Sequence, residues 1–191
     1  LQSGSIVVSD DIDDQTVEDG STDVINIDLD NRFDLTDVTG TVVKFDTNAP
    51  LANNDFYVEL TSNTPLTNEN FLSYVNDGSY DESIIHRSVS NFVIQGGGFK
   101  APTVSADQPE SDPQEISTTG MVQNEPGNLN KRGTIAMAKL SGQPDSATNQ
   151  WFINVDDNTY LDTDNGGFTV FGDVLGSGMT VVDTMAGALT Y

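Results

Sequence analysis

The 191-residue chain contains no cysteine, which excludes disulfides, thiolate catalysis and the usual cysteine-based structural zinc sites. A single histidine, His86, excludes a multi-histidine metal centre as well, so neither a metal nor a cofactor is expected. Basic residues are scarce: seven Lys and Arg stand against thirty Asp and Glu, a formal net charge of −23. So acidic a surface keeps a chain in solution and repels phosphate backbones, and nucleic acid is not an expected partner. No apolar run approaches the ~18 residues that a membrane-spanning helix needs. The chain opens on Leu1 without a basic stretch followed by an apolar one, so either a leader was removed or the stretch begins inside a longer chain. Little lysine among so much acid suits salty surroundings or an export route. A periplasmic or extracellular location is the expectation, and a salt-adapted cytoplasm the alternative.

The length suits one domain of about 150 residues plus an extension, divided here at residues 1–39 and 40–191. Residues 1 to 40 hold eleven acids against the single base Arg32, the mark of a solvated, loosely attached segment. Within it, Ile25, Ile27 and Leu29 alternate with polar residues as a half-buried strand does.

From Gly40 onward, short β-rich runs alternate with turn residues. Thr41–Phe45 and Asp55–Leu60 read as a hairpin around Asn53-Asn54, and Pro65–Val75 as a helix with Thr64 or Thr67 as N-cap and Gly78 beyond its end. Strands are predicted at 83–86, 92–95, 133–138, 151–155 and 168–174. A second helix is predicted around Met179–Met185, and Pro102 to Gln114 is expected to be an irregular loop. Many short strands with two helices point to a closed barrel or a sandwich.

Three stretches carry the chemistry. The first, from Ile84 to Gly98, sets His86-Arg87 ahead of the apolar Phe92-Val93-Ile94, then Gln95 and three glycines. A phosphate cradle is a poor reading of those glycines, because no Gly-Lys-Ser/Thr follows. The second contains Gly133-Thr134-Ile135-Ala136-Met137-Ala138-Lys139. The third runs Gln150-Trp151-Phe152-Ile153, then Tyr160-Leu161-Asp162 and Phe168 to Gly172. In order and spacing these closely resemble the cyclophilin family of peptidyl-prolyl isomerases, particularly its bacterial members, over residues 41 to 188.

The resemblance implies a closed eight-stranded antiparallel barrel capped by two helices, acting on proline-containing peptides and unfolded proteins as a folding helper. A monomer is the expectation. By the same resemblance Arg87 is the catalytic residue, Gln95 and Gln150 are groove residues, and Phe92, Val93, Phe152 and Leu161 line a proline pocket. Ala138 and Lys139 match the strand whose backbone pairs with substrate, and His86 lies at the groove margin. Val93 stands where many members have methionine, Phe168 where others have histidine or tyrosine, and Tyr160 where tight cyclosporin binders have tryptophan. At most weak cyclosporin binding is implied. Trp151, usually phenylalanine, is expected inside the barrel.

Each residue also has a plainer reading. Arg87 alone is a surface ion-pair partner, the apolar residues are core, His86 is a structural histidine, and the glutamines serve the sheet. Asp162–Gly167 is a poor match to a calcium loop, since Gly166 leaves one ligand position empty and the closing glutamate is replaced by Asp173. A non-catalytic module holding proline-containing segments is the alternative to an enzyme.

Overall fold

A computed structural model describes residues 5–8, 33–36, 40–102 and 112–188. The chain divides into two compact units, Leu1–Thr39 and Gly40–Tyr191. In the first, β1 (Ser5–Val8) pairs antiparallel with β2 (Phe33–Thr36). The alternation at Ile25, Ile27 and Leu29 lies outside the described residues.

The second unit contains, in chain order, β3 (Val42–Phe45), β4 (Phe56–Leu60), α1 (Pro65–Asn76), β5 (Arg87–Val89), β6 (Val93–Gly96), β7 (Phe99–Lys100), β8 (Gln114–Glu115), β9 (Thr134–Met137), β10 (Trp151–Asn154), β11 (Val170–Val174) and α2 (Gly178–Ala186). Seven of its strands form one antiparallel sheet in the order β3-β4-β11-β9-β10-β6-β5. The expected closed eight-stranded barrel is thereby corrected: among the described residues no ladder joins β3 to β5. The sheet nevertheless curls steeply. Phe45 on β3 and Trp151 on β10 are four strand spacings apart, about 19 Å on a flat sheet, yet their rings meet edge to face at 5.3 Å. Helix α2 packs on β4 and β6, and its Ala186 carbonyl accepts a 3.0 Å hydrogen bond from Ser88 Oγ of β5. A helix, rather than a ladder, bridges toward the last strand.

The concave face holds the main core: Val43, Phe56, Val58, Phe71, Ile94, Ile135, Met137, Trp151, Ile153, Phe171 and Val182. Phe45 stacks on Phe56 at 4.6 Å, and Phe71 of α1 leans on Phe171 at 5.0 Å. Thr64 takes the N-cap position of α1, but its hydroxyl does not cap. The Glu125 carboxylate does so instead, accepting from Leu66 N (3.2 Å) and Thr67 N (2.8 Å), where a negative charge also suits the helix dipole. The predicted strand at 83–86 starts later, at Arg87. Its partner bends away after Gly96, so Ile84 N bonds to Phe99 O while His86 N bonds to Gln95 O. The expected loop from Pro102 to Gln114 ends in a strand, β8, which pairs with β7.

The glycine run is explained by packing against its neighbour strand. A Cβ on Gly96 would lie 2.9 Å from the Trp151 ring, one on Gly97 would lie 2.6 Å from the Asn149 carbonyl, and one on Gly98 would meet the Gln150 amide at 2.9 Å. Gly97 also sits at φ +78°, a conformation that L side chains resist. Gly97→Ala is therefore expected to lower stability by about 2–4 kcal/mol. Urea unfolding followed by the fluorescence of the single tryptophan measures this, and an unchanged midpoint would show that the turn relaxes without strain.

Candidate active site

Strands β6, β9, β10 and β11 bury both of their faces, and their side chains sort by alternation. Ile94, Ile135, Met137, Trp151, Ile153 and Phe171 fall on the core side. Val93, Ala136, Phe152 and Val170 fall on the other, where with Leu161, Phe92, Ala138 and Phe168 they make a second, smaller apolar cluster. Strand register then sets a row across that second face: Arg87 opposite Gln95, Gln95 opposite Phe152, Phe152 opposite Ala136, and Ala136 opposite Val170. A cation at the sheet edge, an amide, and an apolar floor thus lie on one line.

The polar end is linked by hydrogen bonds. Arg87 Nη1 donates to Gln95 Oε1 at 3.3 Å, and Gln95 Nε2 donates to Gln150 Oε1 at 2.8 Å. The exposed guanidinium also sits 5.5 Å from the Phe92 ring centre, a cation–π distance. With one of its five N–H groups given to Gln95, it retains donors for a ligand. His86 stands edge to face with Phe99 at 5.0 Å. Burial pulls its pKa below the usual value, against a hydrogen bond with Gln150 that favours the charged form.

The apolar end is walled by aromatics. Phe152 and Phe168 meet edge to face at 5.8 Å, while Tyr160, 56% exposed, stacks on Phe92 at 6.0 Å. Phe152 and Leu161 are each 5% exposed, and Val93 is 1% exposed. Ala138 and Lys139 extend past the end of β9. The Ala138 N–H is already donated to Gln150 O at 2.9 Å, which closes that donor to a bound peptide. Trp151, expected in the interior, is 4% exposed in the main core.

Several positioning residues escaped the sequence reading. Buried Asn158 donates Nδ2 to the Phe92 carbonyl (2.9 Å) and to Asn154 Oδ1 (2.8 Å). Asn154 in turn reaches Thr134 Oγ1 at 2.9 Å and Asn130 Oδ1 at 3.3 Å. Asp162 Oδ1 accepts from both Asn130 N and Asn130 Nδ2. This network fixes Phe92 and the one-turn 3-10 helix Thr159–Asp162 that carries Tyr160 and Leu161. Its signal in the sequence is the recurrence of Asn at 130, 154 and 158 around β9 and β10. Among the described residues, no group of three or more His, Cys, Asp or Glu is arranged to hold a metal ion, and no helix is long and apolar enough to cross a membrane.

Comparison with known proteins points one way. The family model described as cyclophilin type peptidyl-prolyl cis-trans isomerase/CLD matches residues 42–190. A peptidyl-prolyl cis-trans isomerase of Acinetobacter baylyi is 44% identical over 138 residues, 70% of this chain and 67% of that protein. One from Streptomyces antibioticus is 46% identical over 133 residues, covering 66% and 73%. Among solved structures, a Cryptosporidium parvum cyclophilin type isomerase crystallised in the presence of the dipeptide Ala-Pro aligns with a TM-score of 0.55. It shares 26% identity over 71% of this chain and 80% of that one.

The depressed pKa of His86 has a consequence for stability. Folding holds the imidazole neutral, so its contribution is complete above the unfolded value of about 6.5 and is lost as pH falls from there through the lower folded value. His86→Asn should therefore show a smaller loss of unfolding free energy than the wild type between about pH 7.5 and about pH 5. Equal losses in the two proteins would remove His86 from the linkage.

Proposed function

The chain belongs to the cyclophilin-type peptidyl-prolyl cis-trans isomerases, and from this we propose that its reaction centre is the row from Arg87 to Val170. The chain is a peptidyl-prolyl cis/trans isomerase, a folding helper that accelerates rotation about Xaa-Pro bonds.

Rotation about a peptide bond meets a barrier of ~18–20 kcal/mol, because the nitrogen lone pair is delocalised into the carbonyl. Unaided prolyl isomerisation takes ~10–100 s. A turnover of roughly 10³ s⁻¹ requires about 6–7 kcal/mol to be removed from the barrier. No bond to the enzyme forms. As the bond twists, the lone pair localises on nitrogen and becomes a hydrogen-bond acceptor, so a fixed donor stabilises the twisted state more than either planar one. Arg87 is that donor. Loss of one such donor typically costs about 3–4 kcal/mol, roughly half of what is needed.

The remainder comes from the apolar wall. Phe92, Val93, Phe152 and Leu161 hold the pyrrolidine ring, exclude water and keep one side of the bond still while the other turns. Two strand spacings, about 10 Å, separate the Arg87 and Phe152 backbones, enough for one proline between them. Gln95 supports the reading from both sides, since it orients the guanidinium and is itself held by Gln150. Tyr160 and Phe168 form the rim, where they shape which neighbours of proline are accepted. The observation that carries this reading is the direct opposition of Arg87, Gln95 and Phe152 on one face.

A protease-coupled assay on a short Xaa-Pro peptide tests it. Arg87→Ala is expected to lower kcat/KM roughly tenfold or more with an unchanged unfolding midpoint, because the side chain is exposed at a sheet edge. Full activity in the variant would remove Arg87 from the reaction.

A further inference from the structure

Lys139 is half-buried two residues past the end of β9, in a chain whose acids outnumber its bases more than fourfold. Its ammonium nevertheless has no carboxylate within ion-pair distance among the described residues. Asp145 and Asp164 act on it only through their fields, and burial pulls its pKa down. Its hydrogen bonds go to backbone instead: Nζ donates to the carbonyls of Asn165 (3.0 Å) and Gly167 (2.6 Å). Three consecutive residues with positive φ, Asn165, Gly166 and Gly167, turn those carbonyls toward it. Asn124 Nδ2 secures the same turn at Gly166 O (3.0 Å) and Gly167 O (2.8 Å). The turn is the segment read from sequence as a poor calcium loop. Its carbonyls wrap a tethered ammonium, and its Asp162 Oδ1 is held by Asn130.

The residue that follows this turn is Phe168. Nζ lies 4.6 Å from the centre of its ring, which packs on the second apolar cluster and pairs edge to face with Phe152 in the proline pocket. Beside it, Lys139, Asn165 and Phe168 help line an open recess of about 400 Å³, so a released Phe168 has space to swing out. A side chain tied at two backbone points and stacked on a ring restrains that ring's position. Misplacing a pocket wall by about 1 Å can lower catalytic efficiency by up to 10²-fold.

We propose that the Lys139 side chain is a positioning residue for isomerisation, a strut that ties the 165–167 turn to β9 and holds Phe168 over Phe152. The proposal rests on the reading of the Arg87-to-Val170 face as the reaction centre. The Lys139 side chain touches no substrate in this scheme; it acts through Phe168.

The test is a double-mutant cycle in the protease-coupled assay, with Lys139→Met, Phe168→Ala and both together. Methionine keeps the length and apolar stem of lysine and removes the donors. Lys139→Met is expected to lower kcat/KM about tenfold, mainly through a higher KM, with tryptophan emission and urea midpoint near wild type. Lys139→Arg, which can reach the same carbonyls, should recover most of the loss. In the Phe168→Ala background, Lys139→Met should add less than about twofold. Activity of Lys139→Met within twofold of wild type, additive losses in the double variant, or a loss confined to kcat that tracks a lost folded fraction would each overturn the strut. If Phe168→Ala itself is harmless while Arg87→Ala is not, the pocket rim is wrong and the strut falls with it. If neither matters, the reading of the whole face fails.

Discussion

Everything at the groove depends on the pairing of β6 with β10. Each of these strands is buried on both sides, so one register decides two things at once. With Ile94 opposite Ile153, the core is filled; with Gln95 opposite Phe152, the groove acquires its amide and its wall. A slip of one residue would exchange the two faces and destroy both. Trp151 and the Gly96-Gly97 bend resist such a slip, because the indole occupies the space where side chains on those glycines would be. Core packing and site geometry are therefore a single constraint.

The acidic composition says little about how the fold is held. Of the ion pairs among the described residues, Lys44 joins Asp55 at 2.7 Å and Arg132 joins Asp183 at 2.6 Å, all at least partly exposed. Solvent screens such pairs, and they add little to stability. The core and the buried asparagines contribute far more, for the carboxamides of Asn130, Asn154 and Asn158 tie loop backbone to strand in places that water does not reach. Among the described residues, the two cations nearest the groove form no ion pair. Arg87 stands on Phe92 and Lys139 on Phe168, each above an aromatic face.

Much of this was legible in the chain. Short apolar runs closely bounded by turn residues located the core strands to within a residue or two, because strands buried on both faces carry continuous apolar sequence. Arg87, Gln95 and Phe152 could be named from motif order, and strand register then drew them into one line. The closed barrel was not borne out, since closure depends on whether the short end strands meet, and no local pattern encodes that. Thr64 does stand at the N-cap of α1, but the carboxylate that accepts from the first-turn N–H groups, Glu125, was not legible because it is remote in sequence and reaches them only through the fold. Lys139 was named for its backbone alone, and it lies two residues past the end of β9. The part played by its side chain depended on three left-handed residues that bring distant carbonyls around it.

Strand order also bears on how this chain is made. β4 lies between β3 and β11, yet β11 is synthesised near the end of the domain. At about 5–20 residues per second on the ribosome, the β3–β4 hairpin waits on the order of ten seconds for that neighbour. Until then Phe56 and Val58 have no complete core to enter, and one edge of β4 is unpaired. A catalyst of folding in other chains thus passes through its own exposed interval during synthesis, when dependence on chaperones is greatest.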